Sequence, residues 1–427
     1  MSDDGWTSIA DHDEFDARAR SAPQRDSSRR AAGDHGPAAD SRKTIVATPF
    51  TWRIPSAIQP REWLYGRHYI RRYVSTTIAP PGVGKTTLGT GEGLAIASGK
   101  PLLGISPAER GRVWMWNGED PIDECERRVA AACIQYGLAQ QDVEGWLFLD
   151  SGRDTEIIIA TTTREGTRIS TPVVDDVIAA IRDNRIDAVT IDPFVSSHRV
   201  SENDNGAIDA VAKKWAHIAE VTGCAIDLVH HARKTGGEEV TVEDARGGSA
   251  LLGAVRSARV LNRMTEAEAK KAGVDEHRGY FRVNSGKVNM APNPSKATWF
   301  QLVSVELGNG SERYPSGDHV AVAIPWAWPD LMENVAVGDL LKVQREVDAA
   351  EKAGNPWRAA TAASRWVGKC IAAVLGADLT TPEGDAKVKS ALRAWQKSGA
   401  LKIEDRLDEH RKPKPCIVVG EWATDPE

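Results

Sequence analysis

The run Ala79-Pro80-Pro81-Gly82-Val83-Gly84-Lys85-Thr86-Thr87 constrains this chain more than any other stretch. It follows Val74-Ser75-Thr76-Thr77-Ile78, a β-branched segment that reads as a buried strand. Residues 87–98 behind it read as a helix. A glycine-rich loop between strand and helix turns backbone N–H groups and the positive end of a helix dipole toward one point, which suits phosphate. The pattern is close to G-x-x-x-x-G-K-[ST], with Ala79 in the first glycine position. The expected ligand is ATP with Mg²⁺. Pro81, Gly82, Val83, Gly84, Lys85, Thr86 and Thr87 would surround the phosphates. Lys85 reaches the β- and γ-phosphates, and the Thr86 hydroxyl ligates the metal.

With 427 residues the chain can build two or three domains. Its net charge of −6 carries no global nucleic-acid signal, so any DNA contact has to come from local patches. Five dispersed cysteines without a C-x-x-C pair argue for a reducing compartment and against a zinc site or disulfide framework. Neither a membrane-length apolar run nor a signal peptide is apparent, so a cytoplasmic protein is expected.

Residues 1–48 lack apolar periodicity and read as a disordered tail of mixed charge. Residues 49–328 alternate strands with helices, as an α/β domain with a mostly parallel sheet does. Strands are expected at 113–117, 188–191 and 225–229, and helices at 122–136, 173–184 and 207–222. A hairpin of residues 157–160 and 167–170 is inserted before the 173–184 helix. Residues 329–384 read as a helical connector. Residues 385–427 read as a small separate module.

Asp192 ends the 188–191 strand and is the second metal-site residue expected, beside Thr86. Glu119, in Asn117-Gly118-Glu119-Asp120-Pro121, follows the strand after the phosphate-loop helix. Hydrolysis needs a carboxylate there to take a proton from water. Asp120 competes with it, but Asp120-Pro121 fits a helix cap followed by proline at the first helical position. His230 and His231 end the 225–229 strand, where a polar residue can register the γ-phosphate; His231 is the preferred candidate. Arg246, Arg256 and Arg259 are candidates for an arginine donated across a subunit interface. Spacing alone does not choose among them, and a solvated helix face suits at least one.

Two loops, 197–205 and 234–244, leave the same sheet edge and are DNA-contact candidates. Arg199, Arg233 and Lys234 are their best phosphate ligands. At the other end, residues 386–397 form an amphipathic basic helix, followed by strands at 401–403 and 416–419 around the tip Arg411-Lys412-Pro413-Lys414-Pro415. Residues 385–414 hold nine Lys and Arg against five Asp and Glu. This winged-helix pattern, with Lys389 and Arg393 on the helix, serves DNA binding and protein docking alike.

Taken together, these motifs resemble the RepA-type hexameric replicative helicases of plasmids and their phage relatives, a branch of the RecA-like ATPases. The likeness spans residues 60–305. It rests on 79–87, 117–121, 191–194, Glu202-Asn203-Asp204-Asn205, His230-His231-Ala232-Arg233-Lys234 and Arg246-Gly247-Gly248-Ser249, with similar stretches at 264–268, 273–275 and 286–289. The resemblance implies a six-subunit ring with ATP at each interface and 5′-to-3′ unwinding driven by channel loops. It assigns Glu119 as base, Asp192 to the metal, His231 as γ-phosphate sensor and Arg256 as arginine finger. Ala79, the 157–170 hairpin, the tail and the winged-helix-like end depart from the compact plasmid enzymes. The expectation is a ring-forming motor on single-stranded DNA. An ATP-switched DNA-binding adaptor and a recombinase-like filament former are the alternatives.

Overall fold

The computed structural model describes residues 46–233, 239–245, 248–292, 294, 296–408 and 411–424. The chain divides into two units, 1–59 and 60–427. In the first, the described residues 46–59 are extended apart from one 3-10 turn, Pro55–Ala57. Phe50 and Trp52 meet edge to face at 6.4 Å, both largely exposed. Most of the tail expected at 1–48 lies outside the described residues.

The second unit opens with a short hairpin, β1 (Trp63–Tyr65) and β2 (Tyr69–Ile70). There follow β3 (Val74–Ala79), α1 (Lys85–Ser98), β4 (Val113–Asn117), α2 (Ile122–Tyr136), α3 (Gln140–Val143) and β5 (Leu147–Ser151). The inserted hairpin is β6 (Ala160–Thr163) and β7 (Gly166–Ile169), its first strand three residues later than expected. Then come α4 (Thr171–Asp183), β8 (Ala188–Asp192), α5 (Asn205–Thr222), β9 (Ala225–His231), α6 (Gly248–Ala254) and β10 (Ser257–Arg263). The domain closes with α7 (Glu266–Ala272), β11 (Tyr280–Val288), β12 (Thr298–Glu306) and β13 (His319–Trp326).

Among the described residues the central sheet has nine strands, ordered β13-β12-β11-β10-β3-β9-β8-β4-β5. The six from β10 to β5 are parallel, and β11 to β13 continue antiparallel. The fold is therefore α/β with a mostly parallel sheet. β3, β4 and β8 are buried at every position, because helices cover both faces of a parallel sheet. The largest core cluster packs Trp215, Phe194, Ile208 and Val211 against Val189, Ile191 and Ile226. In the described residues no helix is long and apolar enough to cross a membrane.

A buried polar network crosses the sheet between β9, β3 and β10. The Asp227 carboxylate accepts from Thr77 Oγ1 at 2.7 Å and lies 2.9 Å from His68 Nε2. Arg259 forms a two-pronged pair with Glu92 at 2.5 and 2.6 Å, and its Nε donates to Thr77 at 2.9 Å. Burial pushes the Asp227 carboxyl up, but His68, Arg259 and Thr77 outweigh it and hold it at about 2. Burial also depresses His68, and it brings His198 down to about 4. In each case the unfolded chain binds more protons than the folded one in acid, so stability rises with pH. The histidine contribution is lost as pH falls below 6.5, and the Asp227 contribution as pH falls from 3.8 toward 2. Unfolding free energies from urea titrations at pH 7.5 and 4.5 are expected to differ by on the order of 2–3 kcal/mol, with the acidic sample weaker; equal values would contradict this.

Beyond residue 328 lie α8 (Val337–Lys352), α9 (Val367–Leu375), α10 (Pro382–Lys397), β14 (Leu401–Leu407) and β15 (Pro413–Val419). The last two pair as an antiparallel hairpin. Val343 and Val347 of α8, Ile371 of α9, Val388 and Leu392 of α10, and Ile417 of β15 share one apolar core. The connector and the terminal module of the sequence reading thus pack together, and the boundary placed at 384 falls inside α10. Gln344 ties them: its amide donates to the carbonyls of Ala400 and Glu421 and accepts from the Ala423 N–H. Three helices and a hairpin in this order match the winged-helix pattern.

Candidate functional site

The topology gathers the candidate residues at one edge of the sheet. Ala79, the last residue of β3, pairs with His231 of β9, and Asn117 of β4 pairs with Asp192 of β8. Residues 80–84, residues 118–120, Asp192 and His231 therefore stand at the carboxyl ends of neighbouring parallel strands. That is where open α/β sheets bind ligands.

Gly82 and Gly84 adopt φ of +69° and +108°. A Cβ on Gly84 would come 3.3 Å from the Phe281 ring, and one on Gly82 would lie 3.1 Å from Arg263 Nη2. The loop thus needs glycine at both places and leaves backbone where phosphate is expected. Ala79 explains its own departure from the pattern: it is fully buried in β3, outside the positive-φ region, so an alanine fits. Val83 is buried beneath the loop, while Pro81 and Gly82 are exposed. Lys85 Nζ lies 2.7 Å from Asp192 Oδ1, and Thr86 Oγ1 donates to Asp192 Oδ2 at 2.6 Å. Thr87 is half-buried on the next position of α1. Loop, hydroxyl and carboxylate fit a nucleotide phosphate with Mg²⁺, which takes few protein ligands and keeps several waters. Burial pushes the nearby Cys125 thiol up to about 11, so it contributes a neutral group.

Glu119 is aimed by an Asx turn. Asn117 Oδ1 accepts from the N–H groups of Glu119 at 3.0 Å and Asp120 at 2.7 Å. Arg153 Nε donates to the Glu119 carbonyl at 2.8 Å. Gly118 is required, since a Cβ there would meet the Ser196 Cβ at 2.3 Å. The Glu119 side chain is 53% exposed, with Oε1 3.7 Å from His231 Nε2. Asp120 does not cap α2, contrary to the sequence reading. The cap residue is Pro121, and the Asp120 carboxylate accepts from Arg128 Nη1 at 2.6 Å. A proline cap leaves Asp120 one residue too far back, and the cation further along α2 takes it instead.

The two histidines divide. His230 is fully buried, edge-on to the Phe194 ring at 5.7 Å between centroids, while His231 is part-exposed and faces Glu119. The arginines divide too. Arg259 is a core residue of β10 rather than part of a solvated helix face, because Glu92 and Asp227 compensate its charge. Arg256 precedes β10 and donates its backbone N–H to Val74, at the start of β3. That places it about 17 Å along the strand from Ala79, so the fold does not bring it to the phosphate loop of its own chain. Arg246 lies outside the described residues. The sequence reading missed Arg263, whose Nη2 donates to the Gly82 carbonyl at 2.5 Å. Recognising Ser257–Arg263 as a strand beside β3 would have located it.

The DNA candidates are scattered. Arg199 pairs with Glu156, and its backbone is pinned to β6 through Ala160. Arg233 is exposed, beside Asp244. Lys234 lies outside the described residues. Lys389 pairs with Asp385 at 2.7 Å, and Arg393 is exposed one turn further along α10.

Comparison with protein families agrees with this geometry. Residues 40–237 match the family model of an AAA domain. The matched stretch includes Lys85, Thr86, Glu119, Asp192 and His231, and it ends before β10. It supports an ATPase built on the phosphate loop.

Proposed function

From the premise of an AAA-type P-loop ATPase domain, we propose that this protein is an ATP-driven motor on single-stranded DNA. In this reading it works as a ring-forming, RecA-like helicase or translocase in phage or plasmid replication. The observation that carries the reading is the chain of interactions from Lys85 and Thr86 through Asp192, with Glu119 and His231 linked at 3.7 Å. A carboxylate base beside a strand-end histidine couples hydrolysis to the segment that follows β9.

Lys85 and the backbone of residues 82–86 hold the phosphates, and Thr86 with Asp192 holds the cation. When bound, Mg²⁺ neutralises charge that builds on the phosphate oxygens. Glu119 takes a proton from the attacking water. His231 reports the state of the site to residues 232–244. Arg256, on the far edge of its own sheet, serves a neighbouring subunit's nucleotide. Arg199, Arg233, Lys234, Lys389 and Arg393 are the proposed contacts to DNA.

The test is steady-state ATP hydrolysis with and without a single-stranded oligonucleotide, followed by unwinding of a forked duplex. DNA-stimulated turnover with strand separation is expected. Turnover indifferent to DNA would displace the motor in favour of an ATP-switched adaptor, a reading supported by the independent core of the terminal module.

A further inference from the structure

The junction of the ATPase domain and the terminal module leaves a groove that the nucleotide site does not use. α7 ends at Gly273, whose hydrogen-bearing face lies against Glu383 at the start of α10; a Cβ there would come 2.6 Å from the Glu383 Cα. Beside this junction the two helices border a groove of about 560 Å³. Lys270 and Lys271 line it from α7, Lys389 and Arg393 from α10, and Trp328 from the segment after β13. Asp330 and Asp385 also line it, but Asp385 is engaged with Lys389. Lys270, Lys271 and Arg393 are exposed, and the local balance is positive on a chain whose net charge is −6.

Trp328 is 39% exposed. It stands edge-on to Trp299 at 5.3 Å and to Trp326 at 5.7 Å, so two neighbours fix its plane while part of the ring meets solvent. A held, part-exposed indole beside clustered cations is the combination that binds single-stranded nucleic acid. The ring stacks a base of any identity, and the cations follow the phosphates.

We propose that this groove is a single-stranded DNA track, with Trp328 as base platform and Lys270, Lys271 and Arg393 as phosphate ligands. It extends the proposed function by giving the terminal module a defined share of the DNA path, and it rests on that reading. A strand lying here touches both α7 and α10, and so bridges the ATPase domain and the module.

The experiment is fluorescence anisotropy of the full chain with a labelled oligothymidylate over a salt series. Trp328→Ala is expected to weaken binding about tenfold, and Trp328→Phe, which keeps a ring, far less. Lys270→Gln with Lys271→Gln is expected to lower the slope of log affinity against log salt by about 0.7 for each phosphate no longer neutralised. Lys352→Gln, on the exposed end of α8, serves as the control and is expected to change neither quantity. Thermal melts of each variant separate weakened binding from impaired folding, and the exposed lysine variants do not touch the core. Wild-type binding that none of the groove variants alters would overturn the groove and leave the motor reading standing. Absence of wild-type binding with or without ATP would overturn both. Displacement of the oligonucleotide by polyglutamate at equal charge, with no difference between Trp328→Ala and Trp328→Phe, would make the groove a docking site for an acidic protein segment and overturn the proposal.

Discussion

A Glu119→Gln variant is expected to hydrolyse ATP about 10²- to 10⁴-fold more slowly than wild type, the usual contribution of a general base. Its affinity for nucleotide should change little, because the phosphate contacts belong to Lys85, Thr86 and the loop. The substitution keeps the shape of the side chain and removes only its ability to take a proton. The local backbone should survive, since Asn117 and Arg153 hold residue 119 through its N–H and carbonyl rather than its carboxylate. Asp120→Asn is the paired control. It weakens a part-exposed ion pair with Arg128, worth about 1 kcal/mol or less, and should leave most turnover intact. Single-turnover hydrolysis of radiolabelled ATP measures both variants. Loss of turnover in Asp120→Asn but not in Glu119→Gln would move the base by one residue.

The second large effect concerns stability. Glu92→Gln removes the carboxylate that Arg259 grips in the interior and leaves the guanidinium only the more distant Asp227, at 3.8 Å and already shared with His68. Breaking one side of such a buried pair costs roughly 3–5 kcal/mol. Arginine keeps its proton at any pH the fold meets, so deprotonation offers no escape. Urea unfolding should show the loss as a lower midpoint with an unchanged slope. A double change, Glu92→Leu with Arg259→Met, removes both charges and is expected to recover much of it. If Glu92→Gln were as stable as wild type, the pair would be incidental to folding.

This network also shows where sequence reasoning stops. Sequence makes Arg259 one of three candidates for an interface arginine, at least one of which suits a solvated helix face, because charge in a sequence is usually on the surface. It is buried because Glu92, 167 positions earlier, and Asp227 face it across α1 and β9. Nothing local encodes that meeting. The antiparallel extension β11 to β13 was likewise unread. Its strands are only half-buried, so their pattern is weaker than the continuous apolar runs of β3, β4 and β8. The boundary near residue 384 misled because α8 carries a charged face typical of a linker, while its apolar face and the largely apolar α9 close on α10 and β15.

The sequence alone determined the phosphate loop, the strands that flank it and the α/β class. Each of these depends on contiguous residues: a glycine pattern, a β-branched run, a helical period. It also put Asp192 at the end of one strand and Glu119 just after another, because strand ends are local features. Only the tertiary structure decided that His231 rather than His230 meets Glu119, that Asp120 belongs to Arg128, that Arg256 stands far from its own phosphate loop, and that Lys270, Lys271, Trp328 and Arg393 share a groove. These are choices among chemically equivalent side chains. They are made by strand order and helix packing, through contacts between residues far apart in the chain.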